Sequence, residues 1–243
     1  MRKFGLIGYP LGHSFSAKYF REKFLRASIT GCEYSNYELP RIEGLAEVLK
    51  DRELEGLNVT IPYKESVIRF LHKKEAVVEE TGACNCIKIK EGHLTGFNTD
   101  VIGFEESLSE KLILSDRRAL ILGTGGSSKA VAWVLNKRGI EYLFVSRKET
   151  GSGIVNYIDL NREIIESHTL IVNCTPLGMS PDTGNCPPIP YNWIGPSHYL
   201  YDLVYNPQKT LFLEKGEGNG SRIKNGSDML VIQAEASWRI WNS

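Results

Sequence analysis

The sequence predicts an α/β protein of two domains, the second a doubly wound sheet, and three observations predict it. Segments with strand character alternate with segments of helical spacing along most of the 243 residues. One strand, 118–122, runs directly into the glycine-rich turn Gly123-Thr124-Gly125-Gly126 and then into a helix. The earlier part of the chain alternates in the same way but has no such turn. A chain of this length accommodates one large domain or two small ones. The change in character places the boundary near residue 101, giving a domain over 1–101 and a second over 102–226. A final helix over 227–243 is expected to return and pack on the first domain.

Taken in order, Phe4-Gly5-Leu6-Ile7-Gly8 reads as a buried strand ending in a Gly/Pro turn. Residues 13–29 have helical spacing, with Phe15, Tyr19, Phe20, Phe24 and Leu25 on one side. Alternation returns over 32–39, residues 41–50 are helical, and 57–61 is a strand stopped by Pro62. A short helix fits 66–71, and 85–90 with 93–97 forms a hairpin around Glu91-Gly92. Residues 100–114 make a connecting helix. The second domain begins with strand 118–122, the glycine turn and helix 129–137, stopped by Arg138-Gly139. Strands follow at 142–145, 169–173 and 199–204, and the Pro- and Gly-rich stretch 178–197 is loop. Both sheets are expected to be parallel.

Twenty-nine basic residues balance 29 acidic ones, and hydrophobic content is 42%. That balance gives no support for nucleic acid or an anionic membrane as partner. No stretch approaches the roughly 20 apolar residues of a membrane span. The first apolar run is broken by Gly8 and Pro10, too early for a signal peptide. Cys32, Cys84, Cys86, Cys174 and Cys186 are scattered and odd in number, as expected of reduced thiols in the cytoplasm, and their spacing is wrong for zinc. No metal site is expected.

Two charged residues point to chemistry. Lys64 closes Asn58-Val59-Thr60-Ile61-Pro62-Tyr63-Lys64, and Asp100 closes Gly96-Phe97-Asn98-Thr99-Asp100. Each follows apolar strand-like sequence, so both stand at strand ends, where an ammonium and a carboxylate can share a proton. The turn at Gly123 explains what such a pair would serve. Gly123 permits the tight turn, Gly125 lets a pyrophosphate approach the backbone, and the helix start offers free N–H groups. Ser128 stands where a third glycine is usual. A proton-transfer pair with a nicotinamide site is what reduction of a ketone to an alcohol requires. Sites for NAD usually have a carboxylate at the end of the next strand. Here that strand ends Val145-Ser146-Arg147-Lys148, and Arg147 can clamp a 2′-phosphate, so the expected cofactor is NADP(H). Asn173-Cys174-Thr175-Pro176 and Asp202-Leu203-Val204-Tyr205 end two further strands at the ligand edge. In Gly8-Tyr9-Pro10-Leu11-Gly12-His13-Ser14-Phe15-Ser16, two hydroxyls meet a helix start. They fit either a helix cap or a grip on a carboxylate.

These segments together resemble the shikimate dehydrogenase family. The likeness runs from Gly8-x-Pro10-x-x-His13-Ser14-x-Ser16 through Asn58-Val59-Thr60-x-Pro62-x-Lys64, Gly82-Ala83-x-Asn85 and Gly96-x-Asn98-Thr99-Asp100. It continues through Gly123-x-Gly125-Gly126, Asn173-x-Thr175-Pro176-x-Gly178-Met179 and Tyr201-Asp202-x-x-Tyr205, and ends at Met229-Leu230-Val231-x-Gln233-Ala234. The blocks fall in family order over nearly the whole chain. The resemblance implies a substrate-binding catalytic domain followed by a Rossmann-type NADP-binding domain, and reversible reduction of 3-dehydroshikimate to shikimate on the route to aromatic amino acids. It implies that Ser14 and Ser16 hold the substrate carboxylate. Asn58, Thr60, Asn85, Asp100, Tyr205 and Gln233 would surround its hydroxyls, with Lys64 and Asp100 as the catalytic pair. It assigns NADP to Gly123, Thr124, Gly125, Gly126, Ser127, Ser128, Ser146, Arg147 and Lys148, with Thr175, Leu203 and Gly226 near the nicotinamide. A relative using quinate as well as shikimate, and NAD as well as NADP, is the neighbouring reading. The implied partner is a small molecule, and the protein itself is a monomer or homodimer.

Some positions depart from the family pattern. Ala17 stands where Pro is common, and Cys86 where Thr is usual beside Asn85. Asn225-Gly226-Ser227-Asp228 replaces a more apolar, Gly-rich form, and residues 148–163 look trimmed.

Overall fold

The structure is a computed structural model that describes residues 1–12, 15–148 and 151–243. The chain forms two compact units, Met1–Ile102 with Leu230–Ser243, and Gly103–Met229.

In the first unit, β1 (Arg2–Gly8) leads to α1 (Phe15–Arg26) and β2 (Cys32–Glu38). A 3-10 turn at Ile42–Gly44 and α2 (Leu45–Val48) follow, where one helix over 41–50 is the sequence expectation. Next come β3 (Leu54–Val59), a 3-10 turn at Ser66–Phe70, β4 (Lys73–Lys74), α3 (Ala76–Thr81), β5 (Cys86–Lys90) and β6 (His93–Phe97). The sheet order is β2-β1-β3-β5-β6-β4. It is mixed, not parallel throughout: β1 pairs in parallel with β2 and β3, while β5 is antiparallel to β3 and β6. The cause is the two-residue turn between β5 and β6. Glu91 and Gly92 both have positive φ, +50° and +78°, the backbone form that reverses a right-twisted strand onto itself.

Alternation along the inner strand β1 builds two cores. Phe4 and Leu6 join Phe20, Phe24, Tyr34, Ala234 and Trp241 on one face, and Ile7 joins Leu45, Leu57, Val59 and Val67 on the other. The first face is closed by α8 (Ser227–Trp241). Trp241 stacks on Phe4 with ring centroids 4.9 Å apart, and its Nε1 donates to the Ile87 carbonyl at 3.0 Å. A Cβ at Gly56 would overlap this indole, so β3 needs glycine there. The C-terminal helix thus packs on the first unit, as expected.

The link α4 (Asp100–Ser109) is shorter than the 100–114 expectation. The second unit contains β7 (Arg118–Leu122), α5 (Gly126–Lys137), β8 (Glu141–Ser146), β9 (Ile154–Asn156), α6 (Arg162–Ser167), β10 (Leu170–Asn173), β11 (Tyr199–Asp202), α7 (Leu211–Gly218) and β12 (Arg222–Asn225). Its order is β12-β11-β10-β7-β8-β9, with every neighbouring pair parallel. The chain builds outward from β7 to β9, then returns to the other side of β7 for β10 to β12. This is the doubly wound Rossmann arrangement, and ligands bind where the direction reverses, at the carboxyl ends of β7 and β10. Among the described residues no helix is long and apolar enough to cross a membrane.

Candidate active site

Lys64 follows β3 and is held by its neighbours. The buried Tyr63 hydroxyl donates to the Leu39 carbonyl, and Cys84 N donates to the Lys64 carbonyl at 2.7 Å. Asp100 opens α4, where the helix dipole favours a carboxylate. Its backbone N–H donates to Asn98 Oδ1 at 3.2 Å, and Asn98 is itself anchored by donating to Thr81 Oγ1 and the Ala83 carbonyl. The two strand ends bring Lys64 Nζ within 2.7 Å of Asp100 Oδ2, with side-chain exposures of 13% and 8%. The pair is therefore largely withdrawn from water, where a charge-assisted hydrogen bond is stronger than at the surface.

The other carboxylate oxygen is also engaged. Asn85 Nδ2 donates to Asp100 Oδ1 at 2.8 Å and to Thr99 Oγ1 at 3.0 Å, while Asn85 Oδ1 accepts from Thr99 N at 2.6 Å. Thr99 Oγ1 lies 3.2 Å from Ser237 Oγ, which accepts from Asn58 Nδ2 at 2.9 Å and donates to the Gln233 carbonyl at 3.0 Å. Asn58 Oδ1 accepts from the Tyr34 hydroxyl at 2.9 Å. Burial pushes the Tyr34 hydroxyl well above the usual tyrosine range, and the Ser16 side chain draws it partly back. One polar network thus links Lys64, Asp100, Asn85, Thr99, Ser237, Asn58 and Tyr34 inside the first unit. Of the residues expected from sequence it brings together Asn58, Lys64, Asn85 and Asp100, and it reaches Gln233 through that residue's backbone carbonyl, while the Gln233 side chain donates to the Leu230 carbonyl at 2.8 Å. Thr60 stands close by in chain, half-buried between β3 and Lys64, with its backbone N–H on the Ile7 carbonyl at 3.0 Å. Ser14, with His13, lies outside the described residues. Tyr205 belongs to the second unit, after β11, where burial raises its hydroxyl above the ordinary value.

Three members of the network, Tyr34, Thr99 and Ser237, had no site role expected from sequence; Thr99 stood there only as part of the segment that ends at Asp100. Ser237 follows Gln233 by four residues on one helix face, and that spacing is the signal available for it. Tyr34 carries none beyond strand alternation. Cys86, where the family usually has Thr, is buried beside Ser237 and Trp241, and burial raises its thiol.

The second unit lines the carboxyl edge of its sheet with the remaining candidates. Register pairs Leu122 with Val145 and with Asn173, and Asn173 with Asp202. Gly123, Ser146, Thr175 and Leu203 therefore leave the sheet along one edge. Gly123 has φ +101°, and a Cβ there would sit 3.1 Å from Thr175 Cγ2. Gly125 is extended and caps α5, and a Cβ on it would meet nothing within 4 Å. Open space thus stands over the start of a 12-residue helix that includes Gly126, Ser127 and the buried Ser128, with Thr124 in the turn before it. Ser128 Oγ closes the turn on the Gly125 carbonyl at 2.6 Å. At the end of β8, Lys148 N donates to Ser146 Oγ at 3.3 Å, and Arg147 and Lys148 are exposed. These features fit a dinucleotide: a glycine cradle at a helix N-terminus, and two accessible cations where a 2′-phosphate would need them.

A further group braces that edge. Asp202 is fully buried and accepts from Asn173 Nδ2 at 2.9 Å, Val204 N at 3.0 Å and Thr210 Oγ1 at 2.5 Å. Asn173 Oδ1 in turn accepts from Thr175 N at 3.0 Å and Thr175 Oγ1 at 2.7 Å. Burial pushes the Asp202 carboxyl up to about 6, against the pull of these hydrogen bonds. Gly226 is buried against the same loop, and a Cβ there would overlap the Leu203 carbonyl.

The profile of the shikimate dehydrogenase substrate binding domain matches residues 6–87. The shikimate dehydrogenase (NADP(+)) of Caldicellulosiruptor saccharolyticus is 37% identical to this chain, over 99% of the chain and 92% of the relative. Shikimate dehydrogenase 1 from Peptoclostridium difficile superposes with a TM-score of 0.88 at 35% identity, covering 100% of this chain and 92% of that one. The Thermus thermophilus shikimate 5-dehydrogenase, solved in complex with NADP(H) and shikimate, gives a TM-score of 0.88 at 30% identity over 99% and 93% of the two chains. At this identity and coverage, the chain belongs to the shikimate dehydrogenase family.

Proposed function

We propose that this chain catalyses the reversible NADPH-dependent reduction of 3-dehydroshikimate to shikimate, a step toward the aromatic amino acids. The observation that carries the reading is the Lys64–Asp100 ion pair, withdrawn from water and oriented by Asn85. The first unit serves as the substrate-binding catalytic domain and Gly103–Met229 as the NADP-binding domain. NADPH, when bound, supplies the hydride that reduces the ketone carbon. The Lys64 ammonium stabilises the charge that develops on the ketone oxygen and gives it a proton. Asp100 holds the ammonium in place and accepts a substrate hydroxyl, and in the reverse direction Lys64 receives the proton. Ser14 and Ser16 hold the substrate carboxylate, and Asn58, Thr60, Asn85, Tyr205 and Gln233 bind its hydroxyls.

Gly123, Thr124, Gly125, Gly126, Ser127 and Ser128 cradle the pyrophosphate. Ser146, Arg147 and Lys148 hold the 2′-phosphate, and Thr175, Leu203 and Gly226 shape the nicotinamide end. The end of β8 has cations and no carboxylate, which favours NADP over NAD. All five cysteines are free, in keeping with a reducing cytoplasmic setting. The substrate is a small molecule, and the protein acts as a monomer or homodimer.

The test is the absorbance of NADPH on addition of 3-dehydroshikimate, run beside NADH, and the reverse reaction with shikimate beside quinate. Rapid NADPH oxidation with 3-dehydroshikimate is expected. No oxidation would refute the assignment, and equal rates with quinate and NAD would move it to the dual-specificity branch.

A further inference from the structure

The network around Asp100 contains a question of direction. A side-chain amide can point either end at a neighbour, and only its N–H end can hold a carboxylate. Thr99 N donates to Asn85 at 2.6 Å, which requires Oδ1 on that side and turns Nδ2 toward Asp100. The second Nδ2 hydrogen then goes to Thr99 Oγ1 at 3.0 Å. Thr99 must therefore send its own hydrogen elsewhere. It has two acceptors at 3.2 Å, Asn85 Oδ1 and Ser237 Oγ. Asn85 Oδ1 still has a second lone pair, but it belongs to the same amide as the Nδ2 that donates to Oγ1, and the two atoms lie too close in direction for one hydroxyl to accept from the first and donate well to the other. Ser237 spends its hydrogen on the Gln233 carbonyl at 3.0 Å, which leaves its oxygen to accept.

We propose that Ser237 is a positioning residue for the reaction: its hydroxyl is the terminus of a one-way series of donors, Asn85 to Thr99 to Ser237 to the Gln233 carbonyl, that keeps the N–H end of Asn85 on Asp100. The same oxygen accepts from Asn58 Nδ2 at 2.9 Å, so one buried hydroxyl supports the orientation of both amides. Ser237 and Thr99 are each fully buried, and no bulk water substitutes for either oxygen. The neighbouring Cys86 thiol is a weak hydrogen-bonding group and does not replace a hydroxyl in this role. The helix that carries Gln233 thereby also orients the ion pair. This inference rests on the proposed reaction for its kinetic readout but not for its structural one.

The experiment compares Ser237→Ala, Thr99→Val and the double variant, each close in volume to the native side chain. Three readouts are taken: kcat and KM for shikimate and NADP, the side-chain amide NMR signal of Asn85 in the cofactor-free protein, and the thermal midpoint. Each single variant is expected to lower kcat about tenfold with the NADP KM unchanged, and to shift the Asn85 amide signal. The double variant is expected to be no slower than the slower single, because both break one series. Single variants within about twofold of native kcat, losses that multiply in the double variant, or an unmoved Asn85 signal would each overturn the proposal. If Ser237→Ala is too unstable to measure, Thr99→Val alone decides by the same criteria. A native protein inactive toward shikimate would refute the proposed reaction, and the Asn85 signal would still decide the role of Ser237.

Discussion

Asn85 and Asp100 meet with the amide Nδ2 2.8 Å from carboxylate Oδ1, while the opposite oxygen, Oδ2, receives the Lys64 ammonium at 2.7 Å. Both oxygens of one carboxylate are thus held by donors from two different strand ends. The arrangement fixes the plane of Asp100 and, through it, the position of the ammonium. A carboxylate held by one donor alone would be free to swing and carry Lys64 with it. The variants below separate the contribution of charge from that of position.

Lys64→Ala removes the proposed proton donor and leaves the amide network in place. Turnover should fall by about 10²-fold or more. Shikimate should still bind, as read by calorimetry on the cofactor-free protein. Near-native kcat would show that the proton comes from elsewhere.

Asp100→Asn keeps the shape and removes the charge, so Lys64 is left buried without its counter-ion. Breaking a pair as enclosed as this one costs on the order of 3 kcal/mol. Chemical denaturation should show a lower midpoint with unchanged slope, together with slower turnover. A variant as stable as the native protein would mean that Lys64 finds another partner at no cost.

Arg147→Ala tests cofactor choice. The exposed guanidinium at the end of β8 should matter only when a 2′-phosphate is present. The KM for NADPH should rise about tenfold and that for NADH should hardly move. Equal changes for both cofactors would remove Arg147 from phosphate recognition.

Asp202 gives the second unit a pH dependence of known sign. Its carboxyl is raised from 3.8 to about 6 in the folded chain, so the folded state binds the proton more tightly than the unfolded one. The resulting stabilisation is complete below pH 3.8 and is lost as pH rises through about 6. It amounts to about 3 kcal/mol at most. Asp202→Asn removes the titration while changing the hydrogen bonds equally at all pH values. The thermal midpoint of the variant minus that of the native protein should therefore increase from pH 4 to pH 7. A difference that stays flat across that range would assign the dependence to other groups.

Legibility in the sequence followed the range of the forces involved. The β5–β6 hairpin was readable because Glu91-Gly92 is a local turn signal, and β7-turn-α5 because glycine, strand and helix are adjacent. The mixed character of the first sheet was already implicit in that hairpin, which the expectation of parallel sheets overrode. Helix α3 and strand β4 are too short to show a period. Helix α7 contains two glycines and owes its start to Thr210, whose hydroxyl accepts from Leu213 N at 3.4 Å. Strand β12 is four residues long, Arg222–Asn225, with none of the apolar run expected of a buried strand. Lys64 and Asp100 stood out as charges at strand ends, and Asn85 came in through the family resemblance. Ser237 did neither, because a serine in a helix declares nothing until Asn58 and Thr99 are folded against it from 179 and 138 residues away.

The stacking of Trp241 on Phe4 also has a bearing on how the protein comes into being. On the ribosome, Phe4 is made long before Trp241, and all of Gly103–Met229 emerges between them. The second unit is continuous in sequence and can close as soon as it clears the exit tunnel. The first cannot: Phe20 and Tyr34 lack the Trp241 ring and Phe24 that of Trp238, and Asn58 and Thr99 lack Ser237. A nascent chain stalled before α8 would carry a finished cradle for a nucleotide and an unfinished ion-pair network, so catalytic competence arrives only with the synthesis of that helix.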